Sequence, residues 1–381
     1  MTAPAGRRLL APDAAVPERD LLLRPTVDVV PVPAATIELV RCKYRVGESL
    51  RVVYRLDGER LVSVRAGGGR APRWWVFPDD RRLVDVAGML RPVPDAPPAA
   101  GLGWYRSELV EYAPERSLTV RALDRSGTVV GYAKRYAPGS VDSGALAARY
   151  AAVAGHLHLA PGVSSPRPLA RADDLVVLEP MTGTVLAELR VDADRAAAVG
   201  AAIAWVHGAT PPSATPTFPR LSPARLTGAA AAVERAVPAA AAATRRLLDA
   251  LRRAHRPPGG CVLLHGDCHP KNALVDGERV SLVDFDQAGL GSAAADLGSF
   301  LARGHVAALL GSRSPVEDAA VAGAFVAGYR SVRTPPPDAA IRWHVAAALL
   351  GEQAVRAVSR VRPDVLAVLP SLLDRAQEVL A

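Results

Sequence analysis

The chain has 381 residues, half of them hydrophobic, with 46 basic and 38 acidic side chains and a formal net charge of +8. That length exceeds one average domain and permits a substantial core. The basic surplus does not read as a nucleic-acid stripe: only Lys43, Lys134 and Lys271 are lysines, the arginines are scattered, and aromatic residues, at 5%, are too few for a stacking platform. Abundant Ala, Arg, Pro and Gly instead mark GC-rich coding, which makes the position of each lysine informative. No run reaches the roughly 18 apolar residues of a membrane span. Arg7, Arg8, Asp13, Glu18, Arg19 and Asp20 interrupt every early apolar run, so no signal peptide is expected and cytoplasm is the default. Cys42, Cys261 and Cys268 are expected to be reduced.

In chain order, the first pattern is strand-like. Tyr44 to Val52 is similar to Tyr112 to Val120, 68 residues later, and both run into glycine turns, Asp57-Gly58 and Ser126-Gly127. The pair reads as a diverged duplication or as two hairpins sharing a common pattern. Gly67-Gly68-Gly69 reads as a loose loop, since no strand-to-helix phosphate signature surrounds it. Trp74 to Leu83 reads as core and turn, or as a segment that orders this N-terminal region over the lobe next in the chain.

Next, Thr128 to Tyr136 carries Lys134 in a β-branched and aromatic strand, with Ser117 to Leu123 as the expected partner. A helix is expected from Ser143 to Leu159, with Asp142 as its N-cap; it contains no Glu. Asp174 to Leu178 is a strand that Pro180 and Gly183 bring to an end. Helices are then expected over 195–208, capped by Asp192 or Asp194, and across the Ala-rich stretch 222–254. Trp205 and His207 read as core and helix-end residues.

The chemistry-bearing segment is His265-Gly266-Asp267-Cys268-His269-Pro270-Lys271-Asn272, followed twelve residues later by Asp284-Phe285-Asp286. Cys261 to Leu264 enters it as an apolar strand, and Asp276-Gly277 turns a short hairpin that carries Asp284 back beside Asn272. Phosphoryl transfer needs a carboxylate to orient the attacking hydroxyl, oxygen ligands for magnesium, and a cation against the phosphates. A catalytic Asp five residues before a metal-binding Asn, then a second metal-binding Asp before Phe, is the protein-kinase pattern. Asp267, Asn272 and Asp284 reproduce it. His265 reads as a buttress of the loop, while His269 and Lys271 point either at substrate and phosphate or at solvent. A zinc reading of Cys261, His265, Cys268 and His269 crowds four ligands onto one strand and turn, unlike the separated ligand pairs of structural zinc sites. Four further helices are expected, over 293–310, 315–332, 338–361 and 363–380.

On these residues the chain resembles the aminoglycoside phosphotransferase family of small-molecule kinases, whose members carry His-Gly-Asp, then Asn, then Asp-Phe-Asp. Gly266 stands where protein kinases place Arg, and no Ala-Pro-Glu comes after it, which favours a small-molecule acceptor over a protein. The run from Gln287 to Gly298 is also similar to the family, although Ser292 lies where many members have Asp. The resemblance implies an α+β, bilobal, protein-kinase-like fold with a strand-rich N-lobe and a helical C-lobe. It also implies ATP as phosphoryl donor, Mg²⁺ at Asn272 and Asp284, Asp267 as the catalytic carboxylate, and Lys134 on the α- and β-phosphates. The usual glutamate partner of that lysine is missing, so another carboxylate serves or the lysine is held without one. Glu179 to Thr182 resembles the interlobe hinge, which implies that the Glu179 carbonyl and the Met181 amide receive adenine. The implied division is an N-terminal cap with added strands at 1–110, similar to that of bacterial sugar kinases, a nucleotide lobe at 111–178 and a helical lobe at 179–381.

From residue 288 onward there are eight Asp or Glu against nine Arg, so a polycationic aminoglycoside finds no surplus of carboxylates. A sugar, amino sugar or other hydroxylated metabolite is favoured as acceptor over an aminoglycoside or other antibiotic. Neither nucleic acid nor membrane is expected as a partner. Folding is one route by which Asp286, Asp296 and Glu352 would concentrate in the acceptor pocket. Trp343, His344, Glu352 and Arg356 share a helix as pocket candidates, each also readable as a packing or solvent residue. A kinase-like binding protein without catalysis is the reading from another class.

Overall fold

The computed structural model describes residues 9–90, 101–217, 221–254 and 260–381; Arg7 and Arg8 lie outside them. Strands β1 (Ile37–Arg45), β2 (Ser49–Leu56), β3 (Arg60–Gly67) and β4 (Arg73–Val76) form an antiparallel meander. Alternation along β2 divides its side chains between two cores. Leu50, Val52 and Tyr54 join the large core that runs through the helical half, whereas Val53 faces a smaller core beneath the next sheet.

That next sheet contains β5 (Arg106–Ala113), β6 (Ser117–Leu123) and β7 (Val129–Tyr136). Beyond the Ser143–Leu157 helix and the short β8 (Val163–Ser164) it adds β9 (Pro168–Ala172) and β10 (Leu175–Leu178). Its spatial order is β5-β6-β7-β10-β9, antiparallel throughout. The expected pairing of the Lys134 strand with Ser117–Leu123 is present, with Lys134 opposite Thr119. Asp142 caps the helix as expected, accepting the Ala145 N–H at 2.9 Å.

The two similar segments fold alike. Each hairpin closes over three residues, at Arg45↔Ser49 and at Ala113↔Ser117, and equivalent positions Gly47 and Glu115 take the left-handed conformation at φ +74° and +60°. Glycine does this freely and glutamate does not, so Glu115 needs support. Asp80 supplies it by accepting the Glu115 N–H at 2.8 Å, while Arg51 and Arg65 of the first sheet reach the Glu115 carboxylate at 2.7 and 3.1 Å. Trp75 donates to the Tyr112 hydroxyl, which donates onward to Asp80. Trp74 to Leu83 therefore fastens the first sheet to the β5–β6 turn, while Leu83 joins the smaller core and Trp74 packs on the larger one.

The rest of the chain is mainly helical. β11 (Thr184–Val185) precedes a helix at Ala193–Val206, capped by Asp192, which accepts the Arg195 N–H. The Ala-rich stretch is two helices, Pro223–Ala236 and Ala241–Arg253, broken near Pro238. After β12 (Cys261–Leu264), β13 (Ala273–Asp276), β14 (Arg279–Leu282) and β15 (Gly289–Ser292) come helices Ala294–Leu309 and Pro315–Val332. The span expected as one helix over 338–361 is Asp338–Ala348, a π-helical Leu349–Ala354 and Val355–Ser359. The last expected helix divides into Pro363–Ala367 and Leu369–Leu380, because Pro370 lacks the N–H that would continue the first. No helix among the described residues is long and apolar enough to cross a membrane.

Candidate active site

Strand β12 delivers the chain into a buried loop whose backbone is anchored from below. The Asp296 carboxylate accepts the N–H groups of His265 and Gly266 at 2.7 and 3.0 Å, and a third bond from His207 at 3.0 Å. These donors keep its carboxyl below the usual carboxylate range even though burial opposes ionisation. Asp296 is thus the floor of the loop, and folding does not bring it into the acceptor pocket. His265 is the expected buttress: Asp267 N–H donates to Nδ1, so Nε2 carries the proton and donates to the Val283 carbonyl at 3.1 Å. At Gly266 a Cβ would lie 2.0 Å from the Gln287 carbonyl oxygen, and φ is +79°. No larger residue fits, which explains the departure from the protein-kinase Arg.

Hairpin β13–β14 brings the expected residues together. Val283 N–H donates to the Asn272 carbonyl at 2.9 Å, setting Asp284 beside Asn272. The Asn272 amide nitrogen donates to the Asp267 carbonyl at 3.0 Å, leaving its oxygen as a ligand atom. Asp284 is held in the left-handed region at φ +66°, a strained setting for a residue with a Cβ. Its pKa is raised because burial opposes the charge and Asp286 adds to it, against the attraction of Lys134. Hard oxygen donors beside one another suit magnesium, which needs few protein ligands when phosphates and water complete its shell.

Lys134 meets Asp284 at 3.1 Å and Asp286 at 2.5 Å. Burial would depress its pKa, but the two carboxylates outweigh burial and hold it above the ordinary lysine value. Asp286, the second Asp of Asp-Phe-Asp, thus pairs with Lys134 where the helix offers no glutamate. Asp286 is fixed in turn by the Tyr136 hydroxyl at 2.9 Å and the Tyr150 hydroxyl at 3.3 Å. Tyr150, from the Glu-free helix, also accepts the Phe285 N–H at 3.0 Å. The sequence left open whether folding brings Asp286 into the acceptor pocket; its partner lies 152 residues earlier, beyond the reach of any local spacing.

His269 faces Asp267, with Nε2 3.5 Å from the carboxylate. The Lys271 N–H donates to its Nδ1, which leaves Nε2–H directed at Asp267. Burial pushes the His269 pKa down to about 4, so the ring is neutral near pH 7. Two guanidinium groups, Arg356 at 3.8 Å and Arg303 at 4.0 Å, flank the same carboxylate. With both nitrogens of His265 engaged in loop bonds, the zinc reading has no ligand set to draw on.

Asp267, Asn272 and Asp284 open onto a cleft of about 1700 Å³. Among the described residues lining it, ten are Lys or Arg and six are Asp or Glu, so its wall is basic. Lys43 and Lys271 line it and Lys134 bonds to Asp284 at its edge, so all three lysines of this arginine-rich chain converge there. The scarcity of lysine was the signal for Lys43, a residue without a role in the sequence reading. Of the four helix candidates, Glu352 and Arg356 line the cleft; Trp343 and His344 pack inward, bonding to the Leu251 and Ala340 carbonyls. Glu179 and Met181 lie between β10 and β11 and do not line this cleft; the Glu179 side chain pairs with Arg167 at 2.8 Å.

A strand-rich lobe joined to a helical lobe, with these side chains at the junction, defines a bilobal kinase-like enzyme of the small-molecule class. The chain belongs to the phosphotransferase enzyme family (APH), whose profile matches residues 116–344. No curated protein sequence matches it. Among solved structures it is similar to a choline/ethanolamine kinase family protein from Mesorhizobium loti, at 19% identity and a TM-score of 0.50, covering 75% of this chain and 91% of that one. It is also similar to the amicoumacin kinase hAmiN, at 15% identity and a TM-score of 0.52, covering 77% and 91%. A glucosamine kinase aligns over 97% of this chain and 98% of its own, at 18% identity and a TM-score of 0.49. At these identities the first two likenesses speak to fold alone.

Proposed function

We propose that the protein transfers the γ-phosphoryl group of ATP to a hydroxyl of a small molecule, a sugar, amino sugar or related metabolite. The observation that carries this reading is the junction itself: Lys134, Asp284, Asn272 and Asp267 meet at the rim of one cleft within a family of phosphotransferases. Asp267 accepts the acceptor's hydroxyl proton as its oxygen bonds to the γ-phosphorus, and the bond from that phosphorus to the β,γ-bridging oxygen breaks to release ADP. His269 orients the Asp267 carboxylate through its Nε2–H. Lys134, kept protonated by Asp286, holds the α- and β-phosphates. Asn272 and Asp284 would hold Mg²⁺, which offsets phosphate charge when bound.

Adenine lies at the hinge, against the Glu179 carbonyl and the Met181 amide. The amicoumacin kinase structure contains AMP-PNP and Ca²⁺, which supports nucleotide and divalent cation in a fold of this kind. In this reading residues 1–110 are a cap with added strands, 111–178 the nucleotide lobe and 179–381 the acceptor lobe, in the cytoplasm where ATP is supplied.

The test is ATP turnover with sugars, amino sugars and aminoglycosides, measured for the wild type and Asp267→Ala. At least one acceptor should stimulate ADP release, and the variant should lose about 100- to 10,000-fold in kcat. Full activity in Asp267→Ala would overturn the assignment. A wild type that binds ATP and never consumes it would establish the silent binding protein instead.

A further inference from the structure

The basic wall of the cleft is organised. Lys43 projects from β1 of the N-terminal sheet, and the Val355–Ser359 helix packs against that strand, presenting Arg356 and, at its C-cap, Arg360. All three side chains line the cleft that holds Asp267. Neither Lys43 nor Arg360 has a carboxylate partner within salt-bridge distance among the described residues, and Arg356 reaches one only at Asp267.

The other acidic residues of the cleft are already engaged. Glu111 pairs with Arg41, Asp192 and Glu317 cap helices, and Glu352 accepts the Ser299 hydroxyl at 2.7 Å. Glu111 also attracts Arg360, but that attraction does not outweigh burial and the guanidinium groups of Arg41 and Arg356, so the Lys43, Arg356 and Arg360 group keeps a positive excess. The field is felt within it. Partial burial and the guanidinium groups of Arg360, Arg116, Arg45 and Arg356 push the Lys43 ammonium down to about 8, and burial, Arg41 and Arg356 push Arg360 below its usual value. Like charges drawn from two separate elements repel, and an anion between them removes that repulsion. A cationic amino group placed there would add to it.

We propose that the acceptor carries an anionic oxygen group, a carboxylate or a phosphate, that docks on Lys43, Arg356 and Arg360 while its hydroxyl meets Asp267. This rests on the phosphotransferase reading and narrows its acceptor from sugars in general to acidic ones. Arg356 joins the two ends of the site, since it touches the Asp267 carboxylate at 3.8 Å and belongs to the anion cluster. Guanidinium forks suit planar carboxylates and phosphate oxygens, and Lys43 adds a point charge from the adjoining strand. The anion thereby bridges the N-terminal sheet and the C-terminal helices.

Calorimetry with the nucleotide site filled by AMP-PNP and magnesium tests this, so that nucleotide phosphates do not compete. Glucuronate and glucose 6-phosphate, which separate the carboxylate from the phosphate, are compared with glucose and glucosamine. At least one acidic sugar should bind tenfold or more tightly than the neutral and amino sugars. Lys43→Gln and Arg360→Gln should each erase most of that preference with AMP-PNP affinity unchanged, which also reports that the variants fold. Equal or tighter binding of glucose or glucosamine, failure of both acids to bind, or a preference that survives both substitutions would overturn the proposal. ATP turnover with glucosamine at no disadvantage to glucuronate would do the same while leaving the phosphotransferase reading intact.

Discussion

The two walls of the cleft solve opposite electrostatic problems. On the phosphate side, Lys134 is enclosed by Asp284 and Asp286, and Tyr136 and Tyr150 complete the set, so charge is matched inside the protein. Elsewhere in the cleft, Lys43, Arg356 and Arg360 keep a positive excess, although Arg356 touches Asp267 and Glu111 attracts Arg360. A self-satisfied network is preorganised before any ligand arrives, whereas an unmatched one takes its counter-charge from the ligand. In the proposed reaction the first wall serves phosphoryl transfer and the second the choice of acceptor.

The comparison is broken most severely by removing Asp286. Asp286→Ala leaves Lys134 with Asp284 alone and strands two tyrosine hydroxyls, so kcat/KM for ATP should fall about 100-fold or more, roughly 3 kcal/mol of transition-state stabilisation. Steady-state kinetics check this, and Asp286→Glu should recover only part because the longer side chain shifts the carboxylate. If Asp286→Ala instead left ATP kinetics unchanged and altered acceptor KM, the carboxylate would belong to the other wall.

Gly266→Ala is next. Its Cβ would meet the Gln287 carbonyl at 2.0 Å in a left-handed backbone, and the expected loss is about 2 kcal/mol or more of stability in denaturant unfolding. His269 gives a pH-dependent effect that is small near neutral pH. Its pKa falls from 6.5 to about 4 on folding, so between those values the unfolded chain binds a proton that the native state does not. Stability should therefore decline as pH drops from about 6.5 to about 4, by at most about 1.4 kcal/mol per pH unit from this group. His269→Gln should flatten that part of the profile. Smallest is Asp142→Ala, which removes the cap of the helix carrying Tyr150 and should cost about 1 kcal/mol.

Legibility in the sequence followed sequence separation. Asp267, Asn272 and Asp284 were readable because one loop and one hairpin place them, and the strand pairing of Lys134 followed from a nearby turn. Asp286 was not, because it lies in a turn and its partner comes from a strand 152 residues earlier. Strand β15 was missed because Gly289 and Gly291 have poor strand propensity, and only its pairing with β12 makes it a strand. The π-helical turn at Leu349–Ala354 was invisible to a reading that assumes regular α-helical hydrogen bonding, although it lies where Gly351, Glu352 and Gln353 meet the cleft. The basic wall escaped notice because charge was counted along the C-terminal half, whereas Lys43 and Arg116 reach the cleft from the N-terminal half.

The most direct measurement tracks the γ-phosphate of radiolabelled ATP in the wild type and in Asp267→Asn. Magnesium-dependent label should appear in a small-molecule acceptor, and Asp267→Asn should lose that transfer while retaining its affinity for ATP. Label transferred to protein, or undiminished transfer by Asp267→Asn, would contradict the account.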